Sequence, residues 1–197
     1  MVNQPRVEFS FAHFAPKLWE GLGCILRTGW VNRGVKSPET VREHITSCMH
    51  IAASIDGLSN DVRRDLLNML EIHDWAEFVI GDQVTFRQNK IERQALRVVK
   101  HEKENQAMKT ICEELGEMGE KIMNLWLRFV NSQDDVASLA RQIDKYQAIE
   151  KALEYEEAQE IPLFKEFLYG DIENITHPLI LAKIENLKDR WHRSLSK

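Results

Sequence analysis

Two imidazoles and two carboxylates sit where helical spacing calls for apolar side chains: His44, His73, Asp74 and Asp144. Around His44, the residues Val41, Ile45, Cys48, Ala52 and Ile55 recur at intervals of three and four, with His44 on the edge of their stripe. In the next helical segment the stripe Val62, Leu66, Met69, Leu70 runs on into His73 and then Glu77, with Asp74 beside them. Asp144 shares a face with Ala137, Ala140, Ala148, Ala152 and Tyr155. A carboxylate buried alone in such company is costly, so it must neutralise, pair or bind a cation. Two His and two Asp on three helices make a mixed nitrogen–oxygen donor set that suits a divalent metal. Each also has a plainer reading, as a hydrogen-bonded core His or a salt-bridged Asp. The residues themselves leave both open.

The elements that must position these groups are helices. The chain has nine Gly and five Pro in 197 residues, alternating β-branched runs are nearly absent, and the 3.6-residue period dominates, which predicts an all-α chain. After a tail over 1–12, a first helix is expected over about 13–26, then a polar connection, RTGWVNRGVK, containing Gly29 and Gly34. Ser37 as N-cap and Pro38 at the first helical position predict a second helix, stopped after Ile55 by Asp56-Gly57. A third, capped by Asn60-Asp61, is expected to run unbroken through His73 to Gly81, a residue suited to a left-handed cap. A loop over 82–88 and helices over about 89–115, 117–130 and 134–158 follow, with a last helix from Thr176-His177-Pro178 to about Arg193. The alternating charges of 100–121 suggest a solvated helix face. With no repeat or linker, one domain over 13–197 is the simplest organisation.

Bulk properties narrow the function. Apolar residues make up 43% and charged residues 29% of the chain, which is globular composition. The net charge of −5 and pI of about 5.8 argue against a nucleic-acid scaffold, whose affinity rests on clustered Lys and Arg. A small phosphorylated substrate stays compatible, because a bound cation reverses the field of an acidic pocket. Cys24, Cys48 and Cys112 are far apart and odd in number, which fits a reducing compartment. No signal peptide or membrane-spanning run is evident, so a cytoplasmic protein without a membrane partner is expected.

The motifs themselves resemble a known family. VREH at 41–44, LEIHDWAE at 70–77 and RQIDK at 141–145 follow the H…HD…D signature of the HD-domain metal-dependent phosphohydrolases. The flanking blocks RTGWVNRGV at 27–35, SPETVREH at 37–44, HDWAEFVIGD at 73–82, ENQAMK at 104–109 and IDKYQAIEKALEYE at 143–156 are similar to the HD-domain 5′-nucleotidases. The likeness runs from about residue 15 to about 192.

The resemblance implies a single-domain, all-α HD fold holding one divalent cation (Mn, Co, Fe, Ni, Zn or Mg). It implies hydrolysis of ribo- or deoxyribonucleoside 5′-monophosphates to nucleoside and phosphate. Carried over by motif, His44, His73, Asp74 and Asp144 are the metal ligands, and Glu77 and Asp82 are the acidic residues at the substrate and the attacking water. An Arg directly precedes the motif's Trp in bacterial members, whereas Gly29 precedes Trp30 here, so Arg27 is the first candidate for the phosphate contact and Arg33 the second. Trp30 is expected to stack on or wall the base pocket, though a Trp near a helix junction also suits the core. Relatives often dimerise, and the long C-terminal helices would permit a homodimer. Another phosphorylated nucleotide as substrate, or a metal-stabilised binding protein without catalysis, are the competing functions.

Overall fold

The structure, a computed structural model, describes residues 8–84 and 90–195. It is all-α. Ten α-helices follow in order among the described residues: α1 Pro16–Leu22, α2 Thr28–Val31, α3 Val41–Ala53, α4 Asn60–Ile72, α5 Glu77–Ile80, α6 Lys90–Glu114, α7 Glu117–Asn131, α8 Asp135–Gln159, α9 Phe164–Asp171 and α10 Pro178–Ser194. No strand occurs among the described residues. A single antiparallel bridge joins Leu26 and Thr40, with Arg27 N donating to Glu39 O and Val41 N to Ile25 O. That bridge closes the RTGW segment into a loop and sets Arg27 against the start of α3.

The centre is a three-helix contact of α3, α4 and α8, with α7 packed on α4 and α8. Ile45, Cys48, Met49, Leu66, Met69, Leu70, Ile143 and Ile149 are fully buried there. The apolar stripes foreseen on these helices are therefore the faces that meet. The α6–α7 hairpin closes on Gly119, which sits so near the Cys112 carbonyl that any Cβ would clash with backbone. Helices α9 and α10 pack along α8. The segment expected as a tail is tied down from Ser10 onward: the backbone N–H groups of Ser10, Phe11 and Ala12 all donate to the buried carboxylate of Glu71.

Several boundaries differ from the sequence expectation. Helix α3 begins three residues after Pro38, because Ser37 takes a left-handed φ of 51° and Thr40 makes a capping box with Glu43. Ser59, not Asn60 or Asp61, caps α4 through its contact with Val62 N. The first helix is only Pro16–Leu22, preceded by a 3₁₀ turn over Ala12–Phe14. Helix α9 is an addition: Phe164, Phe167 and Leu168 form a short stripe after Pro162. Part of the loop expected over 82–88, including Thr85 and Phe86, lies outside the described residues.

The consequential difference lies at the HD pair. The helix expected to run to Gly81 stops at Ile72 and resumes at Glu77. Between them the bonds tighten to i→i+3: Trp75 N donates to Ile72 O, Glu77 N to Asp74 O and Phe78 N to Trp75 O. Side chains in a tightened turn advance by more than 100° per residue, and such turns are short because their hydrogen bonds are poorer. The reward is burial on all sides, since Ile72, His73, Trp75, Ala76 and Glu77 are each at most 4% exposed. An α-helix packed on one side cannot enclose consecutive residues in this way. Gly81, at a φ of 72°, ends α5.

Candidate active site

The four polar residues that fall in phase with the apolar stripes converge. His44 comes from the first turns of α3, His73 and Asp74 from the tightened turn after α4, and Asp144 from the middle of α8. His44 Nε2 lies 3.2 Å from His73 Nε2, 3.1 Å from Asp144 Oδ1 and 3.6 Å from Asp74 Oδ2. His73 Nε2 lies 3.3 Å from Asp74 Oδ2 and 3.9 Å from Asp144 Oδ1. Both Nδ1 atoms are engaged elsewhere, that of His44 by Gln147 Oε1 at 2.6 Å and that of His73 by the Leu70 carbonyl at 2.8 Å. Two imidazole Nε2 atoms thus face two carboxylate oxygens at 3.1–3.9 Å, a donor set that fits a divalent transition metal.

The electrostatics agree with that fit. Burial opposes protonation of His73, yet the Asp74 and Asp144 carboxylates raise it to about 9. Burial likewise works against ionised Asp74 and Asp144, and the surrounding His73, His44 and, for Asp74, Arg27 hold both below the ordinary range. A field that holds positive charge this strongly is one a bound cation would satisfy. Cys48 adds a sulfur close to the cluster. Its Sγ stands 3.8 and 3.9 Å from the two ring nitrogens of His44, against the flank of the ring rather than ahead of Nε2. Burial and then Asp144 and Asp74 push the thiol well up, so it packs as a neutral side chain.

Glu77, Asp82 and Arg27 stand beside this cluster. Glu77 is 1% exposed, and its Oε2 has no hydrogen-bond partner among the described residues. Burial first, and then the Asp74 charge, raise its carboxyl well above the ordinary range. Asp82 accepts from Thr28 N through Oδ2, and its carbonyl accepts from Thr28 Oγ1 at 2.8 Å, which fixes the turn that follows Arg27. Arg27 Nη1 is 3.0 Å from Asp74 Oδ2 and 3.9 Å from both Glu77 Oε2 and Asp82 Oδ1. Burial alone would lower its guanidinium; Asp74, Glu77, Asp82 and Asp144 more than reverse that.

These groups open onto a cavity of about 530 Å³. Arg27, Asp74, Glu77, Asp82 and Asp144 form its acidic end, and Arg33, Arg97, Lys100 and Lys145 also line it. Arg33 pairs with Glu166, donates to the Gly29 carbonyl and lies over the Phe167 ring. Trp30 is elsewhere. It is 2% exposed, its ring stacks on Phe167 and meets Tyr155 edge-on, and its indole N–H donates to Glu39 Oε1. Its place is the core behind the cavity, and it is absent from the cavity wall.

Lys100 was hidden in what the sequence presents as a solvated charge face. Its ammonium lies 3.8 Å from Glu77 Oε1 and 3.4 Å from Glu104 Oε1. A sign of this was available, since Lys100 and Glu104 are one turn apart and form a pair wherever that face points. That it points inward follows from α6 packing on α5, which a helical period cannot show.

A helical fold with this cluster at the meeting of α3, α4 and α8 is that of the HD domain, and the chain belongs to that family: the HD domain model matches residues 20–185. Among curated proteins it is 29% identical over 182 residues to the 5′-deoxynucleotidase HDDC2 of Danio rerio, covering 91% of this chain and 88% of the relative. It is 30% identical over 149 residues to the 5′-deoxynucleotidase HDDC2 of Dictyostelium discoideum, covering 71% and 75%. Among solved structures, a conserved hypothetical protein from Pyrococcus furiosus has the same fold, with a TM-score of 0.67 at 23% identity over 88% of this chain and 97% of that one.

Proposed function

We propose that this chain is a metal-dependent phosphohydrolase that converts deoxynucleoside, and more broadly nucleoside, 5′-monophosphates to nucleoside and inorganic phosphate. The observation that carries the reading is one cavity that joins the His44–His73–Asp74–Asp144 cluster to Arg27, Glu77 and Asp82. The curated relatives' activity agrees with it.

His44, His73, Asp74 and Asp144 would hold one divalent ion, drawn from Mn, Co, Fe, Ni, Zn or Mg. When bound, such an ion supplies charge neutralisation at the phosphoryl group and acidifies a water at neutral pH. The reaction forms a bond from water oxygen to phosphorus and breaks the bond from phosphorus to O5′, with one proton leaving the water and one reaching O5′. Glu77 suits that proton traffic, because its carboxyl is dry, lacks a hydrogen-bond partner on Oε2 and faces the cluster. Arg27 offers charge-assisted donors to the phosphate. Arg33, further along the wall, is the second cation for it. Asp82 orients Arg27 through its hold on Thr28 and is within reach of a substrate hydroxyl.

The same reading makes residues 13–197 the working unit, with Ser10, Phe11 and Ala12 docked on Glu71. It places the chain in the cytoplasm, in keeping with three free cysteines, and expects no nucleic-acid or membrane partner. The acidic balance supports the first exclusion, and no described helix is long and apolar enough to cross a membrane. A homodimer is in keeping with the exposed Val98 and Val99 on α6, and sedimentation of the purified chain tests it.

Phosphate release from a panel of nucleoside and deoxynucleoside 5′-monophosphates, with Mn²⁺ or Co²⁺ added and then chelated, tests the function. Turnover of the deoxynucleotides that stops on chelation is expected. Metal-stimulated turnover confined to triphosphates or cyclic dinucleotides would sink the substrate assignment, and thermal stabilisation by metal without any turnover would sink the enzyme.

A further inference from the structure

Glu39 is a buried carboxylate outside the cluster, 6% exposed, and donors occupy both of its oxygens. Trp30 Nε1 donates to Oε1 at 3.1 Å and Gln147 Nε2 donates to Oε2 at 2.9 Å. The backbone N–H of Glu39 donates to the Tyr155 hydroxyl oxygen at 2.7 Å. Gln147, 1% exposed, then presents its Oε1 to His44 Nδ1 at 2.6 Å. A continuous chain of buried hydrogen bonds therefore runs from the Trp30 indole to the imidazole at the cluster.

The direction of every bond in that chain is fixed at its far end. An indole N–H can only donate, and an ionised carboxylate can only accept. Glu39 accepts from Trp30 on one side, and on the other it requires the NH₂ of Gln147. The amide must then turn its carbonyl oxygen to His44. That oxygen accepts only, so the imidazole proton sits on Nδ1 and the Nε2 lone pair faces His73, Asp74 and Asp144. A reversed amide would present NH₂ to Nδ1, and the proton would move to Nε2, where a ligand needs a lone pair.

We infer that Glu39 and Gln147 are positioning residues that set the tautomer of His44, with Trp30 anchoring the Glu39 carboxylate and Tyr155 its backbone. The inference rests on the reading that His44 Nε2 holds a divalent cation. His73 reaches the same state more simply, because its Nδ1 faces the Leu70 carbonyl, which can only accept. This arrangement also gives Trp30 its part in the site: buried in the core, it acts through Glu39. Residues that orient metal-ligating histidines change metal affinity about 10- to 100-fold when altered.

Long-range ¹⁵N–¹H spectra of the histidine rings in the chelator-treated full chain, with Mn²⁺ titration by calorimetry, test this. Wild type is expected to carry the His44 proton on Nδ1. In Glu39→Gln the new amide meets the Trp30 N–H with its oxygen and Gln147 with its NH₂, which reverses the Gln147 amide. The His44 proton is then expected on Nε2, with Mn²⁺ affinity about 10- to 100-fold weaker. The exchange Glu39→Gln with Gln147→Glu restores an acceptor at His44 and keeps one at Trp30, so it should return the proton to Nδ1 and recover most of the affinity. A wild-type proton on Nε2 overturns the inference, as does a Glu39→Gln protein with unchanged tautomer and affinity, or a double exchange no better than the single one. Should Glu39→Gln fail to fold, the wild-type tautomer and the double exchange decide. A wild type that holds the proton on Nδ1 yet binds no metal supports the relay and overturns the metal reading instead.

Discussion

His44 Nε2 and His73 Nε2 stand 3.2 Å apart although they enter from different helices and are 29 residues apart in the chain. Each ring is gripped at Nδ1, and the two grips turn the remaining nitrogens toward each other and toward Asp74 and Asp144. Without an intervening positive charge, two imidazole lone pairs at that separation repel.

Asp74→Ala should abolish both metal binding and phosphate release. The change removes a carboxylate within 3.6 Å of both Nε2 atoms and leaves Arg27 without its nearest partner. Metal content of the purified protein and turnover with added Mn²⁺ check it. Retention of either at the wild-type level would rule out Asp74 as a ligand.

Glu77→Gln separates metal binding from proton transfer. The amide keeps the shape of a side chain that contributes no short contact to the cluster, so metal content should hold while turnover falls about 10²- to 10⁴-fold. Loss of metal in this variant would instead make Glu77 a structural support of His73.

The two arginines should behave differently. Arg27→Ala is expected to lower kcat/KM about 10- to 100-fold, the worth of charge-assisted hydrogen bonds of about 1.5–3 kcal/mol. Arg33→Ala should cost less, since its guanidinium is already committed to Glu166 and the Gly29 carbonyl. Steady-state kinetics on one deoxynucleotide rank them, and the opposite order would transfer the phosphate contact to Arg33.

Asp134 tests how firmly the start of α8 is held. It caps α8, the helix that carries Asp144, by accepting from Ala137 N at 2.9 Å, and it pairs with Arg128. The hydrogen bond from Arg128 is the main reason its carboxyl lies below the ordinary value. A carboxyl lowered by folding contributes stability that is complete above its unfolded value of about 4 and is lost as pH falls through the lower folded value. Asp134→Ala should cost about 1 kcal/mol at neutral pH, chiefly as a lost cap, and less as pH falls below the unfolded value of about 4. Asp134→Asn keeps the cap but should lose the pH-dependent part. Denaturant melts at both pH values check it, and equal losses at pH 7 and pH 3 for Asp134→Ala would contradict the pairing.

Much of this was legible in the sequence because the site breaks a strong periodic rule. Val41, Ile45, Leu66 and Leu70 announce a core by spacing, and an imidazole or carboxylate in phase with them needs a reason. What periodicity could not show was the tightening between Ile72 and Glu77, which rests on burying Trp75 and Ala76 and leaves no mark in residue spacing. Glu39 and Gln147 escaped notice for a related cause. Each looks like an ordinary polar residue, and only the approach of α8 to the RTGW loop makes them buried partners. Lys100 was obscured by the alternating charges around it. The arginine question arose because Gly29 occupies the place before Trp30; the Leu26–Thr40 bridge brings Arg27 to the cluster from two positions earlier, which favours it for the phosphate contact.

The contact between His44 and Gln147 spans 103 residues. A contact so distant in sequence carries a larger closure cost than the local helical pairs, which predicts that the junction of α3 and α8 forms after them. On the proposed reading, a cation held by His44, His73, Asp74 and Asp144 would tie α3, α8 and the turn after α4 together, so that metal would stabilise the folded chain and the ion-free form would be the one more open to proteases.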